Sequence, residues 1–392
     1  MWQLIKNYFY HLPEAVLARY FFRSPARRLK IIGVTGTSGK TTTAHLIYHV
    51  LLKNGFKVAL ISTIAAKIGD EELDTGLHVT NPAPFPLQKL LKKVAQANYE
   101  YVVLEVTSHG LDQFRVWGIK FAYGVITNIT HEHLDYHRNM LRYRRAKFRL
   151  LKQSRIAVLN RHDASSPVAQ SRLKYPPLIF DQDTVKVLPK TLPGDFNKAN
   201  VAAATAVALD LKLTLDKING ALASFPGIPG RMEIVLKKPF TIVVDFAHKP
   251  DALEKALVSL RAMTKPDKKV IAVFGSAGER DSLKRPIMGS IAGRLADITV
   301  LTAEDPRSES AENIIAQIAA GWDKQEKPTT YRLYQEPDRQ TAINLAIKLA
   351  ETGDCVGFLG KSHEKSMCFG KIEYPWDEFK AVKKALKLRS RQ

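Results

Sequence analysis

Short apolar runs alternate along this chain with longer stretches in which apolar residues recur at helical spacing. In the first half, KVALIST, YVVLEV, YGVITNI and RIAVLN predict strands, and residues 40–53, 87–96, 139–152 and 198–211 predict helices. Pro226, Gly227, Pro229 and Gly230 then crowd the stretch SFPGIPGRM, which predicts a linker. A second series begins with TIVVDFA and a helix from Pro250. It continues with KVIAVFG, a helix from Arg285 and DITVLTA, and ends at DCVGFLG. Alternation of this kind predicts α/β domains built on parallel sheets. The N-terminal stretch MWQLIKNYFYHLPEAVLARYFF holds enough apolar and aromatic residues for one or two short helices, with a break expected at Pro13.

One strand–helix junction turns the pattern from architecture to chemistry. In KIIGVTGTSGKTTT, an apolar strand breaks into a loop carrying Gly36 and Gly39, and Lys40 and Thr41 open the helix. Glycines let backbone N–H groups point inward, and the helix N-terminus faces the anion. The lysine then meets terminal phosphates and the threonine hydroxyl reaches Mg²⁺. The spacing departs from the strict P-loop pattern, because Gly33 comes one residue early and Val34 occupies the first glycine's place. The order of the parts still predicts an ATP site made by Gly36, Thr37, Ser38, Gly39, Lys40, Thr41 and Thr42.

A second cluster lies in LEVTSHGLDQFR and ITNITHEHLDYH. Glu105 ends a predicted strand, Asn128 follows the next, and His131, Glu132, His133, Asp135 and His137 crowd the loop beyond. Ligand-binding groups of open α/β sheets gather at the carboxyl ends of strands, so Glu105 can hold Mg²⁺. The histidine spacing fits no standard zinc motif.

Composition narrows the partners. A length of 392 residues allows two or three domains, each with its own core. The net charge of +21 predicts an anionic partner: a nucleotide, a phosphorylated sugar or an acidic membrane surface. No helix-turn-helix, zinc-finger or RNA-binding signature is present, so nucleic acid is not expected. Apolar runs stop well short of the ~20 residues that span a membrane and no cleavable signal is evident, so a cytoplasmic protein is expected. Cys355 and Cys368 are too few for a disulfide framework, and buried, inert thiols are expected.

These segments, with GRMEIVLKKPFTIVVDFAHKPDALEKAL, FGSAGERDSLKRPIMGSIA and GKSHE, resemble the Mur ligase family from about Lys30 to the C-terminus. They most resemble its third amino-acid-adding members. The resemblance implies a central P-loop-type parallel-sheet ATPase domain over residues 30–227 and a C-terminal Rossmann-like, amino-acid-binding α/β domain over residues 228–392. It implies an ATP- and Mg²⁺-dependent peptide ligase of peptidoglycan precursor synthesis. An acceptor carboxylate becomes an acyl phosphate, and the amine of an incoming amino acid converts that to an amide.

By the same resemblance, Lys40, Glu105, His133 and Lys147 are catalytic. Thr41, Glu105, His133 and a carbamoylated Lys147 hold Mg²⁺, and Asn128, Asn200, Arg231 and Asp245 add to the ATP site. Arg231 would act from the C-terminal domain. Read without the family, Lys147 is an ordinary surface lysine. A muramoyl-dipeptide acceptor falls to Thr80, Thr107, Gln113 and Arg115, and the amino acid to Arg285, Glu304, Asp305, Arg307, Gly360 and Glu364. Arg307 suits a side-chain carboxylate such as that of meso-diaminopimelate. Asp305 stands where users of diaminopimelate carry asparagine, and it exchanges a neutral amide for an anion.

Residues 1–29 are expected to form a short helical segment where the family normally carries a uridine-gripping domain. With the basic stretch that follows, it reads as a docking helix or as a surface meeting an anionic membrane or a partner. A monomer is expected. Two other readings stay open: a ligase for another acceptor (a folate, a polyamide or a lipid-linked muramoyl peptide), and a non-catalytic nucleotide-binding relative.

Overall fold

The structure, a computed structural model, describes residues 2–73, 81–130, 132–323 and 331–390. The chain divides into two compact units, Met1–Lys190 with Phe196–Phe225, and Thr191–Asp195 with Pro226–Gln392.

The first unit is built on eight strands: β1 (Lys30–Thr35), β2 (Val58–Ile61), β3 (Ala66–Ile68), β4 (Glu71–Leu73), β5 (Tyr101–Glu105), β6 (Phe121–Ile126), β7 (Ser154–Asn160) and β8 (Leu178–Phe180). They lie in the order β4-β3-β2-β5-β1-β6-β7-β8. Every pairing from β2 to β8 is parallel, and β3 and β4 form an antiparallel edge. Residues Ile31, Ile32, Val34, Val102, Val103 and Leu104 are fully buried, because helices cover the central strands. Leu87, Leu91 and Val94 of the helix Pro84–Gln96 pack on Ile31, Ala59, Val102 and Leu104. The other predicted helices form at Lys40–Lys53, Met140–Lys152 and Asn197–Asp210.

The N-terminal segment differs from expectation. The chain stays helical from Trp2 through Phe21, with Asn7–His11 as a π-helical turn. Pro13 lies in the first turn of the α-helix Leu12–Phe21, and the wider turn before it accommodates the ring and the missing N–H.

In the second unit, β9 (Glu233–Leu236), β10 (Thr241–Asp245), β11 (Val270–Phe274), β12 (Ile298–Leu301), β13 (Arg332–Gln335) and β14 (Cys355–Leu359) take the order β13-β12-β11-β14-β10-β9. All pair in parallel except β9, which runs antiparallel to β10. A hairpin of β15 (Ser366–Phe369) and β16 (Ile372–Pro375) follows. Both main sheets are therefore mixed rather than purely parallel. The links between β2, β3 and β4 and between β9 and β10 are too short for a crossover helix, so those strands must reverse.

No helix among the described residues is long and apolar enough to cross a membrane. Cys355 and Cys368 are both buried, and burial pushes the Cys355 thiol up to about 11, so it stays protonated at neutral pH.

Candidate active site

In the first unit, the loop after β1 is held shut by the residues that follow β6. Asn128 clamps it from both sides: its Oδ1 accepts the Ser38 N–H at 3.0 Å, and its Nδ2 donates to the Ser38 carbonyl at 3.1 Å. The Thr127 hydroxyl donates to the same carbonyl at 2.6 Å. Gly39 has φ +81° and caps the helix Lys40–Lys53, and a Cβ there would lie 2.2 Å from Asn200 Oδ1. A Cβ on Gly36 would lie 1.8 Å from Thr127 Oγ1. Only glycine lets the chain pass this close to its neighbours while turning its N–H groups toward an anion.

At the mouth of that loop, the Thr41 hydroxyl lies 3.1 and 3.0 Å from the two oxygens of Glu105, and both residues are buried. Glu105 also accepts the Thr63 N–H at 3.1 Å. Lys40 Nζ donates to the carbonyls of Gly36 and Thr37, at 3.1 and 3.0 Å. Thr42 is buried in the same helix. Asn200 Oδ1 accepts the Thr43 hydroxyl at 3.1 Å, which sets Asn200 against the helix start.

Lys147 is not a surface lysine. It is 1% exposed, and its Nζ donates to the Gly36 carbonyl at 2.7 Å and lies 4.7 Å from the Tyr143 ring centre. Arg142 and Arg145 on the same helix are exposed, but the helix turns Tyr143, Ala146, Lys147 and Leu150 inward. Tyr143 donates to or accepts from the Thr37 hydroxyl at 2.9 Å, and burial raises its phenol well above the usual value. His133, at φ +54°, packs edge-on against His109 with ring centres 4.9 Å apart. His131 lies outside the described residues, as does Thr80.

Thr107, Gln113 and Arg115 share one network, organised by Asn81. Asn81 Oδ1 accepts both the N–H and the hydroxyl of Thr107, at 2.6 and 2.8 Å, and its Nδ2 donates to the Glu105 carbonyl at 2.7 Å. Arg115 donates to the Asn81 carbonyl at 2.6 Å and to Gln113 Oε1 at 3.1 Å. The loop that ends in Arg115 is thereby tied to the strand end carrying Glu105.

In the second unit, the remaining residues gather at the carboxyl ends of parallel strands. Asp245 ends β10, Glu304, Asp305 and Arg307 follow β12, and Gly360 and Glu364 follow β14. Burial pushes the Asp245 and Glu304 carboxyls up, and Arg231 opposes the shift at Asp245. The Arg231 guanidinium lies 4.5 Å from the Phe246 ring centre. Asp305 accepts from Lys361 Nζ at 2.9 Å, and Lys361 also reaches Glu364 at 2.7 Å. Burial works against the Lys361 charge, but Glu364 and Asp305 outweigh it and hold the ammonium protonated. The extra anion at Asp305 is thus matched inside the chain.

Arg285 is 1% exposed and its fork is taken by Glu309, at 2.7 and 3.0 Å, with Gln317 at 2.8 Å. Arg307 sits at φ +54° with its backbone bonded to Cys368 and Gly370, and its guanidinium makes no ion pair among the described residues. That leaves Arg307, rather than Arg285, open to a ligand anion.

Comparison with known proteins decides the family. Residues 34–178 match the Mur ligase middle domain, and residues 230–362 match the Mur ligase glutamate ligase domain. The chain is 39% identical to the UDP-N-acetylmuramyl-tripeptide synthetase of Roseiflexus sp. over 415 aligned residues, covering 95% of this chain and 81% of that protein. The chain belongs to the Mur ligase family. A second relative, UDP-N-acetylmuramoyl-L-alanyl-D-glutamate–2,6-diaminopimelate ligase 1 of Clostridium acetobutylicum, is 35% identical, with 95% of this chain and 81% of the relative aligned. A solved structure of a ligase of that same name superimposes with a TM-score of 0.63 at 28% identity, over 96% of this chain and 82% of the other. This Mur ligase is accordingly an ATP-dependent ligase that forms an amide with an amino acid.

Four residues of the first unit's site were not singled out from the sequence: Asn81, Thr63, Thr127 and Tyr143. Asn81 and Thr127 each adjoin a residue that was, and Asn81-Pro82 is a turn-forming pair, so a signal existed for both. Thr63 acts through its backbone N–H and Tyr143 through a contact across 106 residues of chain, which no local pattern reports.

Proposed function

We propose that this Mur ligase adds a diamino acid, such as meso-diaminopimelate, to a muramoyl-dipeptide-type acceptor in peptidoglycan precursor synthesis. The observation that carries the reading is the Thr41–Glu105 contact at the mouth of the glycine loop. A hydroxyl and a carboxylate facing one another at a helix N-terminus are hard oxygen donors, which suit Mg²⁺ beside bound phosphates. Bound there, ATP supplies the phosphoryl group that activates the acceptor, and the ion offsets the charge on it.

This chain's own residues do the rest. The N–H groups of residues 36–41 would cradle the phosphates, and Lys40 would move from the loop carbonyls onto their terminal oxygens. Asn128 and Asn200 keep the loop in shape. Lys147, on taking up CO₂ as a carbamate with loss of a proton, would turn from a buried cation into a carboxylate-like group and, with Glu105 and His133, would help hold Mg²⁺. Thr107, Gln113 and Arg115, braced by Asn81, hold the acceptor. Arg307 takes the side-chain carboxylate of the amino acid, and Glu304 and Glu364 face its amines. In the same reading the protein is a cytoplasmic monomer whose basic surface touches an anionic membrane peripherally.

The test is a substrate screen. ATP, Mg²⁺ and UDP-linked muramoyl-dipeptide are supplied with each of a panel of amino acids, and phosphate release and product mass are read. Release that requires both acceptor and diamino acid is expected. Release indifferent to the acceptor would overturn the reading.

A further inference from the structure

The N-terminal helix turns its apolar side outward. Its inward side is small or polar: Ala15 and Ala18 are buried, and buried Asn7 donates to Asp112 Oδ2 at 2.8 Å. Its outward side is large and apolar. Ile5, Phe9, Leu17 and Phe21 fall on a four-residue spacing and are 43%, 80%, 64% and 72% exposed. Tyr10 and Tyr20 stand beside them, 61% and 65% exposed. Such a spacing drifts slowly round an α-helix, and the wider turn at Asn7–His11 takes up part of the drift, so the stripe keeps to one face. Phe85, from the helix Pro84–Gln96, extends the stripe, its ring centre 6.0 Å from that of Phe21.

Cations rim this face. Arg23, Arg27 and Arg28 follow the helix, Lys89 and Lys92 lie on the helix that carries Phe85, and all five are exposed. Among residues 1–30, six lysines and arginines stand against one carboxylate, Glu14. An apolar stripe inside a basic rim fits an interface that is itself apolar within and anionic at its edge. A second copy of the chain would bring one basic rim against another.

We propose that this face lies on an anionic phospholipid surface. The aromatic stripe sits at the boundary between headgroups and acyl chains, and Arg23, Arg27, Arg28, Lys89 and Lys92 sit on the headgroups. This deepens the peripheral membrane contact proposed above by naming its surface, and it does not depend on the ligase chemistry. It has a consequence for the site. The inward side of the same helix meets Asp112 and, through Gln3 at 3.2 Å, Tyr136, beside the loop of Thr107, Gln113 and Arg115. Docking therefore brings that loop to within about one helix diameter, ~10 Å, of the lipid.

The test is co-sedimentation of the full chain with vesicles of phosphatidylcholine alone or with about 30 mol% phosphatidylglycerol. Partition at least about tenfold stronger onto the anionic vesicles is expected, weakening as salt rises. The triple variant Phe9→Ser, Leu17→Ser, Tyr20→Ser alters only exposed side chains. It should lose about thirtyfold or more of that partition with its melting temperature and ATP affinity unchanged. Arg23→Glu, Arg27→Glu, Arg28→Glu should abolish the preference for phosphatidylglycerol. The proposal falls if anionic vesicles are not bound, or if the triple variant binds them like the parent. It falls equally if the parent is a dimer in solution that the triple variant converts to monomer, which gives the face to a second copy. Absent phosphate release would sink the ligase reading and leave the vesicle result standing.

Discussion

Glu105→Gln separates the metal role proposed for this carboxylate from its structural one. In the fold, Glu105 is 1% exposed, accepts the Thr41 hydroxyl at 3.0 and 3.1 Å and the Thr63 N–H at 3.1 Å. Glutamine keeps the volume, and its amide oxygen at the Oε2 position keeps both the Thr41 and the Thr63 donor, so only the Oε1 contact with Thr41 is exchanged for an amide NH₂. The structural cost is then about one hydrogen bond, ~1 kcal/mol. For a unit of roughly 200 residues that shifts the melting temperature by only ~2–4 °C. On the proposed reading the chemical cost is larger, because the variant would remove the anion that balances Mg²⁺ and the phosphates in a buried site. A loss of about a thousandfold in kcat, ~4 kcal/mol, is expected. Phosphate release at saturating ATP and acceptor, with a thermal melt of the same sample, measures both. If kcat stays within about threefold of the parent while the melt shifts as expected, Glu105 does not serve a metal.

Lys147→Ala should be nearly inactive and partly restored by acetate, which can enter the space left beside Gly36; full activity without acetate would contradict the carbamate role. Arg307→Ala should raise KM for diaminopimelate by about 10- to 100-fold, the worth of a charged hydrogen-bonded pair, while leaving KM for lysine little changed; equal effects on both would refute the carboxylate contact. His248 is held neutral, since burial, with Lys249 and Lys284 nearby, keeps its imidazole well below the usual 6.5. The unfolded chain takes up that proton first, so the stability is complete above about pH 6.5 and declines as the pH falls below it. His248→Gln should flatten this acid limb in urea melts taken across the range, and an unchanged slope would show that another group carries it.

What the sequence determined by itself is local. The helix at Lys40–Lys53 and the strands at β1, β5 and β7 are readable because burial on a sheet or one helical face imposes a period on neighbouring residues. The glycine loop is readable for the same reason, since Gly36, Gly39, Lys40 and Thr41 act within one turn of each other. What only the tertiary structure decided depends on residues far apart in the chain. Lys147 sits among Arg144, Arg145 and Arg149 and carries every local mark of a solvated lysine, yet packing turns it under a loop 111 residues away. Asp305 reads as an uncompensated anion until Lys361, 56 residues on, is brought to it, and the Arg285 fork reads as unpaired until Glu309 is brought to it. The N-terminal helix shows the same limit. Its apolar stripe is present in the sequence, but a stripe alone does not say which side faces the protein. Small Ala15 and Ala18 allow the close approach of this helix to the unit, and that contact is what leaves Phe9, Leu17 and Phe21 facing out.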